Sequence, residues 1–164
     1  MEDVYKNNIP VKTRSNRNFL FIFRSVKSTN KYNIQMASIF TKIVNGEIPC
    51  YKVAETKNFL AFLDVNPNTQ GHTLCIPKIE VDELFDLDET TYTGLMEFSR
   101  SVGIALKKAV PCLRVGMAVV GLEVPHVHVH LIPLHTMDDI RFTSKVKLKK
   151  EEFEAIAKRI SDRM

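Results

Sequence analysis

One run of seven residues, His126 Val127 His128 Val129 His130 Leu131 Ile132, restricts the fold of this chain more than any other. Its histidines and aliphatic residues alternate, which is the period of a β-strand and not of a helix. His126, His128 and His130 therefore project from one face of a strand, about 7 Å apart along it. Val127, Val129 and Leu131 face the other way and require an apolar layer behind them. Three imidazoles on one face cost desolvation, and repel one another once they charge, so the array needs a reason.

Three reasons compete. One buried histidine with two solvent-facing ones suits an isolated residue better than a same-face triplet. A metal site asks imidazoles to converge at about 2 Å from one ion, and the outer two of a straight strand lie too far apart for that. The third reason is catalysis: a neutral imidazole near its ordinary pKa of about 6.5 is a competent nucleophile, and a cationic neighbour can protonate a leaving group. The middle ring has a neighbour on each side. His128 is thus the expected nucleophile, with His130 and His126 to orient it, bind the substrate's charge or protonate what leaves.

The rest of the chain reads as α+β. Ser38 can cap a short helix with Ile39, Phe40, Ile43 and Val44 at helical spacing, ended by Gly46. Strands are expected at Tyr51 to Glu55, Phe59 to Leu63, His72 to Pro77, Val115 to Val120 and Val127 to Ile132. Asp86 or Asp88 opens the longest helix, whose residues Leu95, Phe98, Val102, Ala105, Leu106 and Ala109 fall on one side, and Pro111 prevents its continuation. A last amphipathic helix carries Phe153, Ile156, Ala157 and Ile160.

The length of 164 residues suits one domain, expected over residues 37–164. The net charge of +4 raises the question of a nucleic-acid partner, so its location matters. Residues 1–36 hold seven basic and two acidic side chains, whereas residues 37–164 hold 16 basic and 17 acidic ones. The domain itself is nearly neutral, so no nucleic-acid polymer is expected as partner. Residues 1–36 read as an extension: a disordered tail, a targeting presequence, or a stretch upstream of a start at Met36, which the run Met36 Ala37 Ser38 favours. No apolar run approaches the roughly 18 residues of a membrane helix. The three widely spaced cysteines fit no disulfide framework, and a reducing, cytoplasmic setting is expected.

The run HVHVHLI resembles the signature of the histidine triad (HIT) family. A second stretch resembles the N-terminal half of its Hint-type members: Ile39 Phe40, Ile43, Gly46 Glu47 Ile48 Pro49, then Ala61 Phe62 Leu63 Asp64 Val65, Pro67, and Gly71 to Lys78. The resemblance implies a five-stranded antiparallel sheet with one long and one or two short helices, paired into a homodimer. It further implies attack by the middle histidine on the α-phosphorus of a purine nucleotide, with water resolving a nucleotidyl-histidine. Carried over by position, Ile39, Phe40, Ile43, Phe62 and Val65 line the base pocket, Asp64 receives the ribose hydroxyls and His72 supports the triad. No cofactor or metal is expected.

One segment departs from the family pattern. Gly121 Leu122 Glu123 Val124 Pro125 carries Leu122 where Gln is usual and Glu123 in place of a hydroxyl residue. A carboxylate there accepts hydrogen bonds from an amine and repels a phosphate, which favours phosphoramidates or aminoacyl adenylates as substrates. The alternatives are a dinucleoside polyphosphate hydrolase, a nucleotide-binding scaffold with little catalysis, and a metal-binding sensor.

Overall fold

The structure is a computed structural model that describes residues 37–143 and 145–164. The expected extension over residues 1–36 lies outside the described residues. Ser38 opens α1 (Ile39–Val44), its hydroxyl oxygen accepting from the Thr41 N–H, and Gly46 leaves the helix at φ +76°. Three strands follow, β1 (Lys52–Glu55), β2 (Phe59–Leu63) and β3 (Thr73–Pro77). A single 3-10 turn, Leu84–Asp86, leads to α2 (Glu89–Ala109), which Asp88 caps. Then come β4 (Arg114–Ala118), β5 (Val129–Leu134), a second 3-10 turn at Met137–Ile140, and α3 (Lys150–Ser161).

The five strands form one antiparallel sheet in the order β1-β2-β3-β5-β4. Alternation decides which side chains go where. Ala61, Leu63, Cys75, Val129 and Leu131 face α2 and α3 and join Leu95, Phe98, Val102, Leu106, Phe153, Ile156 and Ile160 in the main core. Leu60, Phe62, Leu74 and Ile76 face the other way and pack with Phe40 of α1 in a second, smaller core. The histidines belong to that second face.

Four of the five strands differ from expectation by one or two residues at one or both ends, and the difference at β5 matters. β5 begins at Val129, so His126 lies in a bend and His128 in the extended segment before the strand. Pro125 has no N–H for a ladder, and the His126 N–H closes a turn onto the Val124 carbonyl at 2.8 Å. β4 ends at Ala118, leaving Val119 and Val120 in the following loop.

Candidate active site

Sheet register builds the site before any side-chain chemistry enters. Phe62 stands opposite Leu74, and Leu74 opposite His130, giving one cross-strand row over β2, β3 and β5. α1 lays Phe40 over this row, its ring centroid 5.6 Å from Phe62, 5.2 Å from His128 and 5.9 Å from His126. The result is a cavity of about 240 Å³ with an apolar floor and imidazoles at one end. Ile39, Phe40, Ile43, Phe62, Asp64, Val65 and Glu123 all line it, together with His128 and His130. Leu74, Cys50, Ile48 and Val124 line it too and were not anticipated. His126 and His72 stand behind the wall, both fully buried.

The hydrogen bonds assign each ring its tautomer. His128 Nδ1 lies 2.7 Å from the His126 carbonyl oxygen, which can only accept. Nδ1 of His128 therefore carries the proton, and its Nε2 lone pair is free. His126 Nε2 lies 2.8 Å from the Pro77 carbonyl oxygen, so that nitrogen donates and Nδ1 accepts from the Ser38 hydroxyl at 3.0 Å. His72 Nδ1 accepts from the Asn68 N–H at 3.2 Å, which puts its proton on Nε2, donated to His130 Nδ1 at 3.0 Å. His130 consequently keeps its own proton on Nε2, a donor with no partner among the described residues, on a ring that lines the cavity.

Burial decides the charge of these rings. Desolvation pushes His130 down to about 3 and His72 down to about 3, with neighbouring cations and imidazoles adding smaller effects in the same direction. Burial likewise lowers His126. The partners of His128 thus rest neutral, whereas the sequence reading had one of them cationic and ready to protonate a leaving group; three apposed, desolvated rings do not hold that charge. The Asp64 Oδ2 to His72 Nδ1 distance of 3.5 Å is accordingly a proximity between a carboxylate and a lone pair, not an ion pair. Asp64 also accepts the Asn66 N–H at 2.8 Å, the turn bond that aims its carboxylate.

Among the described residues, Asp64, His72 and His130 are the one group whose ligand atoms, all within 4.8 Å of one another, could hold a metal ion. Leu122 does not line the site cavity; it is 90% exposed and borders a neighbouring one of about 410 Å³ with Asp82, Glu83, Phe85 and His128. A wider groove of about 750 Å³ between β1 and α3 contains none of the histidines. Asn68 was missed in the sequence because its N–H bond to His72 depends on the loop before Gly71, where φ is +89° and a Cβ would meet Val110 at 2.9 Å.

Comparison with known proteins places this geometry among its relatives. A family model described as HIT domain matches residues 45–137. An uncharacterized HIT-like protein of Borreliella burgdorferi is 36% identical over 132 residues, 75% of this chain and 95% of that protein. An adenosine 5'-monophosphoramidase of Saccharomyces cerevisiae is 36% identical over 110 residues, 66% of this chain and 70% of that protein. Among solved structures, a Hit-like protein from Bartonella henselae superposes with a TM-score of 0.69 at 29% identity, covering 77% of this chain and 96% of its own.

Proposed function

This chain belongs to the HIT domain family, and from that premise we propose that it cleaves purine nucleoside monophosphate amides and esters through a nucleotidyl intermediate on His128. The observation that carries the reading is the 2.7 Å bond from the Nδ1–H of His128 to the His126 carbonyl, which leaves Nε2 as the nitrogen available for attack on a ring that lines the cavity and packs against Phe40. The phosphoramidase named among its relatives supports an amide substrate. Residues 37–164 act as one domain in this reading, and residues 1–36 take no part.

The base rests between apolar side chains of α1 and β2, where Phe40 and Phe62 present their faces and edges. Asp64 accepts from the ribose hydroxyls, a vicinal pair of donors that suits a carboxylate. His128 Nε2 then attacks the α-phosphorus, the P–N bond breaks, and the leaving amine departs with one proton. His130 donates its Nε2–H to a phosphoryl oxygen and so stabilises the charge that builds there. None of the three neutral imidazoles behind His128 can give up a proton without becoming imidazolate, so the proton on the leaving nitrogen comes from solvent or is carried by the substrate. Water attacks phosphorus in the second step and releases the nucleoside monophosphate, regenerating His128.

Two further parts of the reading stand on the surface of the molecule. Ile104 of α2 and Met117 of β4 are 42% and 47% exposed beside the unpaired edge of the sheet, which supports a homodimer built across β4 and α2. No helix among the described residues is long and apolar enough to cross a membrane.

The test is single-turnover labelling with a nucleoside phosphoramidate carrying label on phosphorus. An acid-labile adduct at His128 and release of nucleoside monophosphate are expected. Binding without adduct or turnover would replace the enzyme with a nucleotide-binding scaffold. A metal-binding role has the Asp64, His72, His130 group behind it, and stoichiometric zinc retained through dialysis would favour it.

A further inference from the structure

The ring of His126 makes no contact with the cavity, yet both of its nitrogens are held. Its Nε2–H is taken by the Pro77 carbonyl, so its Nδ1 needs a donor, and two hydroxyls lie within reach: Ser38 at 3.0 Å and Thr41 at 3.4 Å. Which one supplies the proton is settled by Glu80. Its Oε2 takes the hydroxyl proton of Thr41 and, at 3.0 Å, the Ser38 N–H. Thr41 has no second proton to give, so the Ser38 hydroxyl is the donor to His126. Ser38 and His126 are 88 residues apart and both buried, at 6% and 0% exposure, which makes this bond one that solvent cannot replace.

We propose that Glu80, Thr41 and Ser38 form a positioning network that fixes the ring of His126 and, through the His126 carbonyl, the attacking nitrogen of His128. The path is continuous. A half-buried carboxylate orders two hydroxyls, the Ser38 hydroxyl donates to the Nδ1 that the Pro77 carbonyl leaves as acceptor, and the anchored residue presents its carbonyl to His128 Nδ1–H at 2.7 Å. Ser38 also begins the helix that carries Phe40, whose ring packs edge-on against both His126 and His128. One residue thereby couples the wall of the base pocket to the nucleophile. The kinetic consequence rests on the nucleotidyl-transfer reading above; the geometric one does not.

The experiment compares the full chain with Ser38→Gly, Ser38→Thr, Glu80→Ala and Glu80→Gln, reading kcat and KM on an adenosine phosphoramidate and the ¹⁵N resonances of the imidazoles. Glycine serves almost as well as serine at a helix N-cap, so Ser38→Gly removes the donor to His126 while keeping the helix start. Loss of one buried bond predicts a fall in kcat of about tenfold for Ser38→Gly with KM changed less than about twofold. The ¹⁵N resonance of His126 Nδ1, which loses its donor, and through the His126 carbonyl those of His128, should shift in the same variant. Ser38→Thr retains the hydroxyl and Glu80→Gln retains the accepting oxygen, so both should return kcat and spectra to those of the unsubstituted chain, with Glu80→Ala falling beside Ser38→Gly.

Unchanged kcat and unchanged imidazole resonances in Ser38→Gly and Glu80→Ala would overturn the proposal, as would a lowered Tm with neither readout moved, which is what a helix cap alone produces. Should Ser38→Gly fail to fold, Glu80→Ala and Thr41→Val leave the Ser38 cap bond in place and carry the same comparison. The spectra are taken without substrate. An inactive unsubstituted chain would therefore sink the functional reading, and the imidazole resonances of His126 would still decide the network.

Discussion

The Nδ1–H of His128 is bound at 2.7 Å by the carbonyl of His126, the residue two positions before it, so the histidine run supplies both the proposed nucleophile and the group that orients it. Backbone holds better than side chain here, since a carbonyl cannot rotate away or change protonation. It follows that His128→Ala removes the reacting atom while leaving the scaffold of His126, Ser38 and Phe40 in place. Turnover of an adenosine phosphoramidate should fall by at least ~10³-fold, with nucleotide binding, followed by calorimetry, within about threefold of the unsubstituted chain. Near-normal activity would remove His128 from its role.

The depressed histidines make stability depend on pH in a definite direction. His72 and His130 sit at about 3 when folded and near 6.5 when unfolded, so the unfolded chain binds more protons between those values. Stability is complete above about pH 6.5 and falls as pH drops toward 3, at a limiting slope of about 1.4 kcal/mol per pH unit for each differentially protonated ring. Thermal melts from pH 7.5 to 4 should show this decline, and His72→Gln should flatten it by one proton's worth. A flat profile would mean that these rings are charged or accessible when folded.

Much of this was legible in the sequence, for reasons that can be separated. Alternation put His128 and His130 at one cavity and Val129 and Leu131 in the core, because side-chain period is a local property of a strand. Ser38 was readable as a helix cap for the same reason. Its second bond, to His126, was not readable, since only the packing of α1 across the start of β5 brings the two together. Glu80 sat in an unpatterned connection after Pro77, with nothing in its spacing to separate it from a solvated charge. The row Phe62, Leu74, His130 depends on register between strands, which composition does not encode. Charge was the other gap: the sequence suggests ordinary histidines, and it is chiefly burial that pulls His72, His126 and His130 down.

Asp64 offers a test of the nucleotide's orientation. Its carboxylate lines the cavity and is aimed by the Asn66 N–H, and Asp64→Ala takes away an acceptor for two hydroxyl donors at once. Affinity for a ribonucleotide should weaken about tenfold, and for the 2'-deoxynucleotide by much less, because hydrogen bonds to a charged group exceed neutral ones. Equal losses for both sugars would place the ribose elsewhere.

The exposed pair Ile104 and Met117 tests the dimer. A charge buried at the centre of an apolar interface without a partner is strongly unfavourable, whereas on a solvent-facing edge it costs little. Met117→Asp should therefore shift the sedimentation coefficient from dimer to monomer while the Tm of the monomer remains measurable. A chain that is monomeric before substitution would end this part of the reading.

In the proposed reaction the choice of leaving group would fall to Glu123, which lines the cavity with His128 and His130 but is itself exposed. A polyphosphate leaving group brings negative charge toward this carboxylate, and an amine does not. Exposure limits the effect, because water and salt screen a surface charge to a fraction of its buried strength. Glu123→Ser should raise kcat/KM for diadenosine triphosphate by only about two- to fivefold at low ionic strength, leaving an adenosine phosphoramidate unchanged or slightly worse. The gain should fade as salt shortens the Debye length from about 10 Å at 0.1 M to about 3 Å at 1 M. A gain that survives high salt would come from space opened by the shorter side chain, and no gain at all would mean that the leaving group exits past Leu122, through the cavity of about 410 Å³ that His128 also lines.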